Sequence, residues 1–199
     1  MRRIVDIAVA VTALVLLSPL LLLIVLAVII SSPGNPFYGG WRAGKDGRKF
    51  RMWKFRSMVN GASQMGPITG RNDSRVTPIG RILRKTKLDE LPQFFNLLTG
   101  DMTLVGPRPE SPEIVALYAP WQRAVLAVKP GVTGRVQLDH DDESEIIPEG
   151  VKPLDYYVNH LMEPKLCMDL DYLRVRTFFT DLKIVLATAG LVFRAVARR

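Results

Sequence analysis

An uncharged apolar run, Ile7–Ile30, constrains the fold of this chain more than any other feature of its sequence. About 20 apolar helical residues suffice to cross the hydrocarbon core of a bilayer, so the run is long enough to span. Ser18-Pro19 lies at its centre, where a proline removes a helical hydrogen bond and clashes with the preceding turn. The run therefore predicts a membrane segment that bends at Ser18-Pro19.

The topology of this segment has three interpretations. A cleaved signal peptide is disfavoured, because the run exceeds the usual signal core and no small-residue cleavage site follows it. A kinked spanning helix and a re-entrant hairpin both tolerate the proline. Basic residues mark the cytoplasmic side of a membrane, and they flank both ends of the run, with Arg2 and Arg3 before it and a cluster over Arg42–Arg56 after it. This placement suits a hairpin and puts Asp6 near the membrane interface.

Charge and length limit the remaining possibilities. The 199 residues have room for one domain with a real core, and the net charge of +8 indicates an anionic partner. Because the positive charge adjoins the apolar run, it favours membrane lipids and phosphorylated substrates, and we expect no nucleic-acid partner. The single cysteine, Cys167, excludes an intramolecular disulfide. The sequence leaves open whether the chain forms a homo-oligomer.

Periodicity predicts a mixed α/β fold that is mostly helical. We expect residues 1–32 to form the re-entrant membrane helix hairpin and residues 33–199 a compact cytosolic, membrane-associated domain with amphipathic interfacial helices. The expected features after the hairpin are a strand over Lys49–Met58 with its basic side chains on one face, a helix capped by Thr77-Pro78, a helix over Leu88–Leu98, a helix from Ser111-Pro112 through Val128, an acidic loop at Asp139–Gly150, helical structure from Leu154, and an interfacial helix over Leu182–Val196.

Asp89 and Glu90 are the first candidates for chemistry. Pro92 suits the first turn of a helix, so we expect Asp89 to be the N-cap of that helix. Backbone N–H groups at such an end attract anions, and a carboxylate there can act as a nucleophile or as a ligand for Mg²⁺. An ordinary capping box or a solvated acidic pair would give the same local pattern.

Cations and a rigid arginine loop surround this pair in the sequence. Basic residues precede it at Arg81, Arg84, Lys85 and Lys87, and the predicted strand supplies Lys54 and Arg56. A guanidinium group can donate two parallel hydrogen bonds to two oxygens of one phosphate. In Gly106–Glu110, two prolines flank Arg108 and fix the backbone that presents it. A membrane-surface patch and a plain rigid turn are the alternatives.

These motifs, taken in order, resemble the bacterial sugar transferases, the monotopic phosphoglycosyl transferases that begin cell-envelope glycans. The matching segments are the apolar run with Ser18-Pro19, Lys54–Met58, Leu88–Gln93, Gly100–Met102, Gly106–Pro109, Pro130–Gly134, Tyr156-Tyr157 and Asp181–Ile184. They cover nearly the whole chain.

The resemblance implies that the chain is a UDP-sugar:polyprenyl-phosphate sugar-1-phosphate transferase at the cytoplasmic face of the bacterial inner membrane. It implies that Asp89 attacks the β-phosphate of a UDP-sugar, expels UMP and forms a covalent phosphosugar–aspartate, which polyprenyl (undecaprenyl) phosphate then attacks. Glu90 would be an acid/base partner or a second contact to Mg²⁺, which Asp89 and Glu90 would hold. The expected substrate and phosphate ligands are Lys54, Arg56, Arg84, Gln93 and Arg108.

One departure from the family pattern and two rival interpretations accompany this expectation. The residues after Gly134 differ from the common family pattern and lead into the acidic loop, so the sugar stays undetermined. A catalytically silent membrane scaffold would keep the fold without the reaction. A glycosyltransferase would release UDP instead of UMP.

Overall fold

The computed structural model describes residues 2–66, 68–69, 73–139, 146–148 and 150–197. The mixed, mostly helical α/β fold predicted from the sequence is confirmed. Its elements are α1 Arg2–Leu16, α2 Ser18–Ser31, β1 Phe37–Ala43, β2 Lys49–Phe55, α3 Pro78–Lys85, α4 Gln93–Thr99, β3 Thr103–Val105, α5 Pro112–Val115, β4 Gly131–Thr133, α6 Arg135–Asp139, α7 Pro153–Tyr156, α8 Met162–Arg174 and α9 Phe178–Ala197. Short 3₁₀ turns cover Lys45–Gly47, Ala62–Met65, Leu88–Glu90 and Gln122–Ala127.

The N-terminal apolar run forms two helices that bend where the sequence predicts. Helix α1 ends at Leu16, and Pro19 lies in the first turn of α2, where its missing N–H costs no hydrogen bond. The two axes differ by 65°, and the Ser18 hydroxyl donates to the Val15 carbonyl at the corner (2.8 Å). Within the described residues no single helix has the length and apolarity of a membrane span, whereas this bent pair does when both helices are counted.

The first helix is bonded to the rest of the domain by buried polar groups. Arg3 donates to the Leu97 carbonyl and, at 2.6 Å, to the Leu98 carbonyl at the end of α4. The Asp6 carboxylate accepts from the Leu104 N–H (2.9 Å) and from the Thr103 hydroxyl (3.0 Å) on β3. Asp6 is therefore buried against β3, and its expected place near the membrane interface stays a prediction.

Two small two-stranded sheets follow the bent helix pair in the chain. Strands β1 and β2 pair antiparallel, from Phe37 opposite Phe55 to Ala43 opposite Lys49, and β3 pairs parallel with β4. Apolar contacts join α2 to β2 and α3 through a cluster of Ile24, Val28, Phe55 and Leu83. Helix α2 therefore packs directly on β2 and α3, which lie next to the candidate site.

The basic side chains of β2 do not share one face, contrary to the prediction. Lys49 and Arg51 alternate with buried Phe50 and Met52 and lie on the exposed side. Lys54 has the parity of the buried residues, because side chains two apart lie on the same side of a strand. Its ammonium group therefore points toward the interior.

The helices after β2 follow the predicted starts better than the predicted ends. Thr77 caps α3 by accepting from the Gly80 N–H (3.0 Å), and Ser111 caps α5 in the same way. The expected long helix through Val128 is wrong, since α5 ends at Val115 and a 3₁₀ turn starts beyond Pro120. Helical structure resumes at Pro153 and continues through a π-helical segment, Tyr157–Leu161, into α8. The acidic loop lies mostly outside the described residues.

Candidate active site

Asp89 and Glu90 lie in the 3₁₀ turn Leu88–Glu90, not at the start of a regular helix. Lys87 has a left-handed backbone (φ 57°) that turns the chain into this segment. The Asp89 side chain caps no helix, because Pro92 occupies the N-cap position of α4. The predicted N-cap role of Asp89 is therefore wrong. The turn instead places Asp89 in the interior, where the residue is 5% exposed.

Strand β2 brings a lysine to both carboxylates. The Lys54 ammonium donates to Glu90 Oε1 at 2.7 Å and lies 4.0 Å from Asp89 Oδ2. Asn96 of α4 holds the strand in place, because its Oδ1 accepts from the Trp53 N–H at 2.9 Å. Helix α4 therefore fixes the residue adjacent to Lys54, and the predicted proximity of Lys54 to the acidic pair is observed.

The proline-flanked arginine reaches the same carboxylate from the other side. Arg108 Nη2 donates to Glu90 Oε1 at 3.0 Å. Two backbone hydrogen bonds tie its loop to β4, from Gly106 N to Thr133 O and from Gly131 N to Pro107 O, both 2.9 Å long. Side chains cannot replace these glycines, since a Cβ on Gly131 would lie 2.1 Å from the Gly106 nitrogen. The close approach of the two segments fixes the position from which Arg108 extends.

The two neighbouring carboxyl groups have opposite electrostatic surroundings. Burial raises the pKa of Asp89 above its ordinary value, and the positive charge of Lys54 opposes that rise. Burial also acts on Glu90, but the charges and hydrogen bonds of Lys54 and Arg108 outweigh it and hold the pKa of Glu90 well below its ordinary value. Glu90 therefore stays ionised and anchors two cations, while Asp89 is the more basic carboxylate. Neighbouring carboxyl groups whose pKa values are shifted in opposite directions are typical of active sites.

Two other predicted ligands, Arg84 and Gln93, lie close to the acidic turn in the sequence. Arg84 contributes positive charge that lowers the pKa of Asp89, and its Nη2 donates to the Thr69 hydroxyl at 3.1 Å. Gln93, in the first turn of α4, is buried, and its Nε2 has no hydrogen-bond partner among the described residues. Both residues adjoin the 3₁₀ turn along the chain.

Arg56 is not brought to the acidic pair. Its Nη1 donates to the Pro33 carbonyl and to Asn60 Oδ1, both at 3.0 Å, and its Nη2 donates to the Ser32 carbonyl. Arg56 is buried beneath the end of α2 and joins that helix to the segment after β2. Its hydrogen bonds are those of a residue that holds the hairpin, and a role in phosphate binding stays a prediction.

A second group of buried ionisable side chains lies behind the arginine loop, and the sequence analysis missed it. Tyr157 donates its hydroxyl to Glu110 Oε1. The Lys165 ammonium donates to the Tyr157 hydroxyl at 2.8 Å and to Glu110 Oε1 at 3.2 Å. One turn further along α8, burial raises the pKa of Asp169 to about 7. The signal was present in the sequence, because Lys165, Asp169 and Tyr172 follow the spacing of one helical face.

The acidic pair fits a Mg²⁺ ion bound together with a diphosphate. Magnesium in such sites takes one or two carboxylates and completes its shell with water and phosphate oxygens. Asp89 and Glu90 supply that number, and no group of three or more His, Cys, Asp or Glu side chains that could hold a metal occurs in the described part of the chain. The residues therefore suit an ion that shares its ligands with a phosphorylated substrate.

Comparison with known families identifies the family to which this chain belongs. The family model described as "Bacterial sugar transferase" matches residues 1–195. The chain belongs to the bacterial sugar transferase family, and the resemblance drawn from its motifs is confirmed.

Among curated relatives, the chain is 38% identical over 202 aligned positions to the UDP-glucose:undecaprenyl-phosphate glucose-1-phosphate transferase of Escherichia coli K12, covering 98% of this chain and 41% of the relative. A protein of the same description from Caulobacter vibrioides is 36% identical over 193 positions, covering 94% of this chain and 67% of the relative. A UDP-N-acetylgalactosamine-undecaprenyl-phosphate N-acetylgalactosaminephosphotransferase from Aeromonas hydrophila is 42% identical over 143 positions, covering 70% of this chain and 34% of the relative. The chain thus spans about two fifths of the E. coli relative and a third of the Aeromonas one.

Proposed function

We propose that this chain is a membrane-associated phosphoglycosyl transferase that moves a sugar 1-phosphate from a UDP-sugar to undecaprenyl phosphate and releases UMP. The names of the relatives support the acceptor, since undecaprenyl phosphate recurs in them while the sugar changes from glucose to N-acetylgalactosamine. The observation that carries the proposal is the buried Asp89–Glu90 pair with Lys54 and Arg108 around it. The product would serve as the first lipid-linked intermediate of a bacterial glycoconjugate.

The first half-reaction uses Asp89 as the nucleophile. One carboxylate oxygen of Asp89 forms a bond to the β-phosphorus, and the bond from that phosphorus to the oxygen bridging to the α-phosphate breaks. UMP leaves with the bonding electrons, and the sugar phosphate stays on Asp89 as an acyl phosphate. Because burial raises the pKa of Asp89, its carboxylate is more basic than an exposed aspartate and is a stronger nucleophile when ionised.

The second half-reaction transfers the sugar phosphate to the lipid. An oxygen of undecaprenyl phosphate attacks the same phosphorus, the bond to Asp89 breaks, and the free carboxylate returns. The product is a polyprenyl diphosphate sugar. Each step replaces one phosphorus–oxygen bond by another, so the cycle needs no oxidant or reductant.

The cations and Glu90 orient the diphosphate and stabilise its charge. Lys54 and Arg108 meet at Glu90 Oε1, so this carboxylate holds both donors where phosphate oxygens would enter. A bound Mg²⁺, held by Asp89 and Glu90, would supply neutralisation of charge on the diphosphate. A carboxyl group whose pKa is well below its ordinary value is a poor proton donor, so we assign Glu90 to cation placement and metal binding.

The proposed location is the cytoplasmic face of the inner membrane, with the bent helix pair embedded and both of its ends on the cytoplasmic side. Such a hairpin would keep the site at the level where the lipid phosphate lies. Single cysteines in the first turn of α1 and after α2, placed in a Cys167→Ser background because Cys167 is exposed, should both resist a membrane-impermeant maleimide added outside the cell. Labelling of either one from outside would exclude the hairpin.

The reaction is tested by nucleotide release from purified protein supplied with Mg²⁺, undecaprenyl phosphate and a panel of UDP-sugars. We expect UMP from wild type and none from Asp89→Asn, while Asp101→Asn, which changes an exposed aspartate, keeps the activity. Without acceptor, intact-mass spectrometry should find the added sugar phosphate on wild type and not on Asp89→Asn. Release of UDP would instead identify a glycosyltransferase, and activity in Asp89→Asn would exclude the covalent mechanism.

A further inference from the structure

The loop that presents Arg108, residues 106–110, is attached to the rest of the fold at both of its ends. Its first residues bond to β4, as described above. At its far end the Glu110 carbonyl accepts from the Ala43 N–H of β1 at 2.9 Å. A proline on either side of Arg108 restricts the backbone between these ends, because the proline ring locks φ. The position of Glu110 therefore helps to determine the point from which the Arg108 side chain extends.

The Glu110 side chain is held by two buried donors from the last third of the chain. The Tyr157 hydroxyl donates to Glu110 Oε1. The Lys165 ammonium donates to the same oxygen at 3.2 Å and to the Tyr157 hydroxyl at 2.8 Å, so each of the three groups contacts the other two. Tyr157 is 1% exposed and Lys165 is 4% exposed. Glu110 is thus bonded through its carbonyl to β1 and through its carboxylate to α8 and the segment before it.

The π-helical segment before α8 brings these two donors together. Tyr157 and Lys165 are eight residues apart, and on a regular α-helix that spacing would leave them about 80° apart around the axis. Tyr157–Leu161 is wound as a π-helix, in which each turn holds more residues, and this offsets most of that rotation. As a result the Lys165 ammonium lies 4.5 Å from the centre of the Tyr157 ring. Such segments are frequent at functional sites.

Stability alone is a poor explanation for this cluster. Burial would raise the pKa of Glu110, but the charge of Lys165 and the hydrogen bond from Tyr157 outweigh it and hold that pKa below its ordinary value. Glu110 and Lys165 therefore form an ion pair that is largely removed from water. Apolar side chains of the same volume often stabilise a fold at least as well as such a pair. A role in holding the loop accounts better for the three polar groups.

We propose that Glu110 is a positioning residue that acts through Arg108. Held at its carboxylate by the buried tyrosine and lysine, it fixes the end of the loop from which the guanidinium group reaches Glu90 and the diphosphate. This inference rests on the proposed function, in which Arg108 binds phosphate oxygens. Arg108 Nη2 lies 3.0 Å from Glu90 Oε1, so a shift of the loop would move this donor away from the acidic pair. Tyr157 belongs to a segment that resembles the family, and the inference gives it a role.

The test is a double-mutant cycle between this anchor and Arg108, followed by kcat/KM for the UDP-sugar. Displacing a binding group by about 1 Å can lower activity on the order of a hundredfold. We therefore expect Glu110→Leu, which removes the acceptor, to lower kcat/KM by about a hundredfold, and Tyr157→Phe, which removes one of the two donors, by about tenfold. In an Arg108→Ala background either change should cause less than about a twofold further loss, since residues that act through one another are not additive.

Two control variants separate positioning from general destabilisation. Glu110→Gln keeps an oxygen that can accept from both donors and should retain most of the activity. Tyr156→Phe makes the matched change one residue earlier, in a tyrosine whose ring lies against His160, and should keep full activity. Melting temperatures establish that folded proteins are compared, and Tyr157→Phe carries the cycle alone if Glu110→Leu does not fold. The dissociation constant for UDP with Mg²⁺, measured by calorimetry across the same cycle, reports on Arg108 without requiring turnover.

The outcomes separate the two proposals. Non-additive losses in activity and in UDP affinity, with activity retained in Glu110→Gln, would support the inference. Losses that multiply in the double mutants would overturn it, as would wild-type behaviour of Tyr157→Phe. Failure of wild type to release UMP would contradict the proposed function alone, because the UDP-binding cycle still decides whether Glu110 acts through Arg108.

Discussion

Replacing Lys54 by methionine removes a positive charge close to the Asp89 carboxylate while keeping most of the side-chain volume. Lys54 Nζ lies 4.0 Å from Asp89 Oδ2. At that separation and an effective dielectric constant of about 20, the attraction between the two charges is about 4 kcal/mol. The Lys54 side chain is 20% exposed, so water screens part of this attraction. We therefore expect the pKa of Asp89 to rise further in Lys54→Met, because the charge that opposes the effect of burial is removed.

The sign of the effect defines the assay. Asp89 must be ionised to attack, so a higher pKa moves the acidic limb of the pH profile of kcat/KM to higher pH. UMP release measured at a series of pH values should show the deficit of Lys54→Met shrinking as the pH rises. Weaker phosphate binding would lower the rate at every pH, so only the midpoint of the limb is diagnostic. Lys85→Met, which removes an exposed charge on α3, is the matched control. A limb at the wild-type pH in Lys54→Met would refute the electrostatic reasoning.

Three further predictions concern the scaffold. Gly80→Ala would place a Cβ 2.0 Å from the Ser57 carbonyl oxygen and should lower the unfolding free energy by about 3 kcal/mol or more. Gly190 lies in a helix with open space around it, so Gly190→Ala should raise the unfolding free energy by up to about 1 kcal/mol. Thermal melts in detergent compare the two variants. Arg56→Met should cost about 1–3 kcal/mol by leaving carbonyls at the end of α2 without donors, with no change in KM for the UDP-sugar; a raised KM would instead return Arg56 to the site. Burial raises the pKa of Asp169 from 3.8 to about 7, so the folded state binds this proton more tightly than the unfolded state does. The unfolding free energy of wild type should therefore fall by up to about 4 kcal/mol as the pH rises from about 4 to about 7. Urea titrations at a series of pH values should find this loss absent in Asp169→Asn.

Local rules predicted those parts of the fold that depend on a few adjacent residues. The bend at Ser18-Pro19 and the cap at Thr77 follow from a missing N–H and a hydroxyl acceptor, and both need no knowledge of distant contacts. The same rule applies to Pro120, which cannot continue a helix. The prediction of one long helix through Val128 was wrong because it ignored this proline.

The position of the acidic turn could be predicted from the sequence, but its backbone conformation could not. Its geometry depends on the left-handed backbone of Lys87, which bulky residues seldom adopt and which no neighbouring residue signals. The same chain segment could equally have formed a helix with Asp89 at its N-cap. Burial in the tertiary fold, and not local propensity, determines which of the two conformations forms.

Strand parity and strand length explain the different outcomes for Lys54 and Arg56. Both share one side of an extended chain, but β2 ends at Phe55, so Arg56 follows the loop toward the end of α2. Asp169 was missed for another reason. Its burial depends on packing against segments far away in the chain, and this leaves only the helical spacing of polar residues as a sign.

The bonds from Arg3 and Asp6 to the ends of α4 and β3 have a consequence for a reaction between a dissolved and a lipid substrate. With α1 fixed to the domain in this way, the bent helix pair is bonded directly to the domain that carries Asp89. In the proposed membrane placement, the nucleophile would keep a constant height above the lipid headgroups. Undecaprenyl phosphate would then reach the phosphosugar by diffusion within the bilayer plane, without leaving the depth at which its own phosphate already lies.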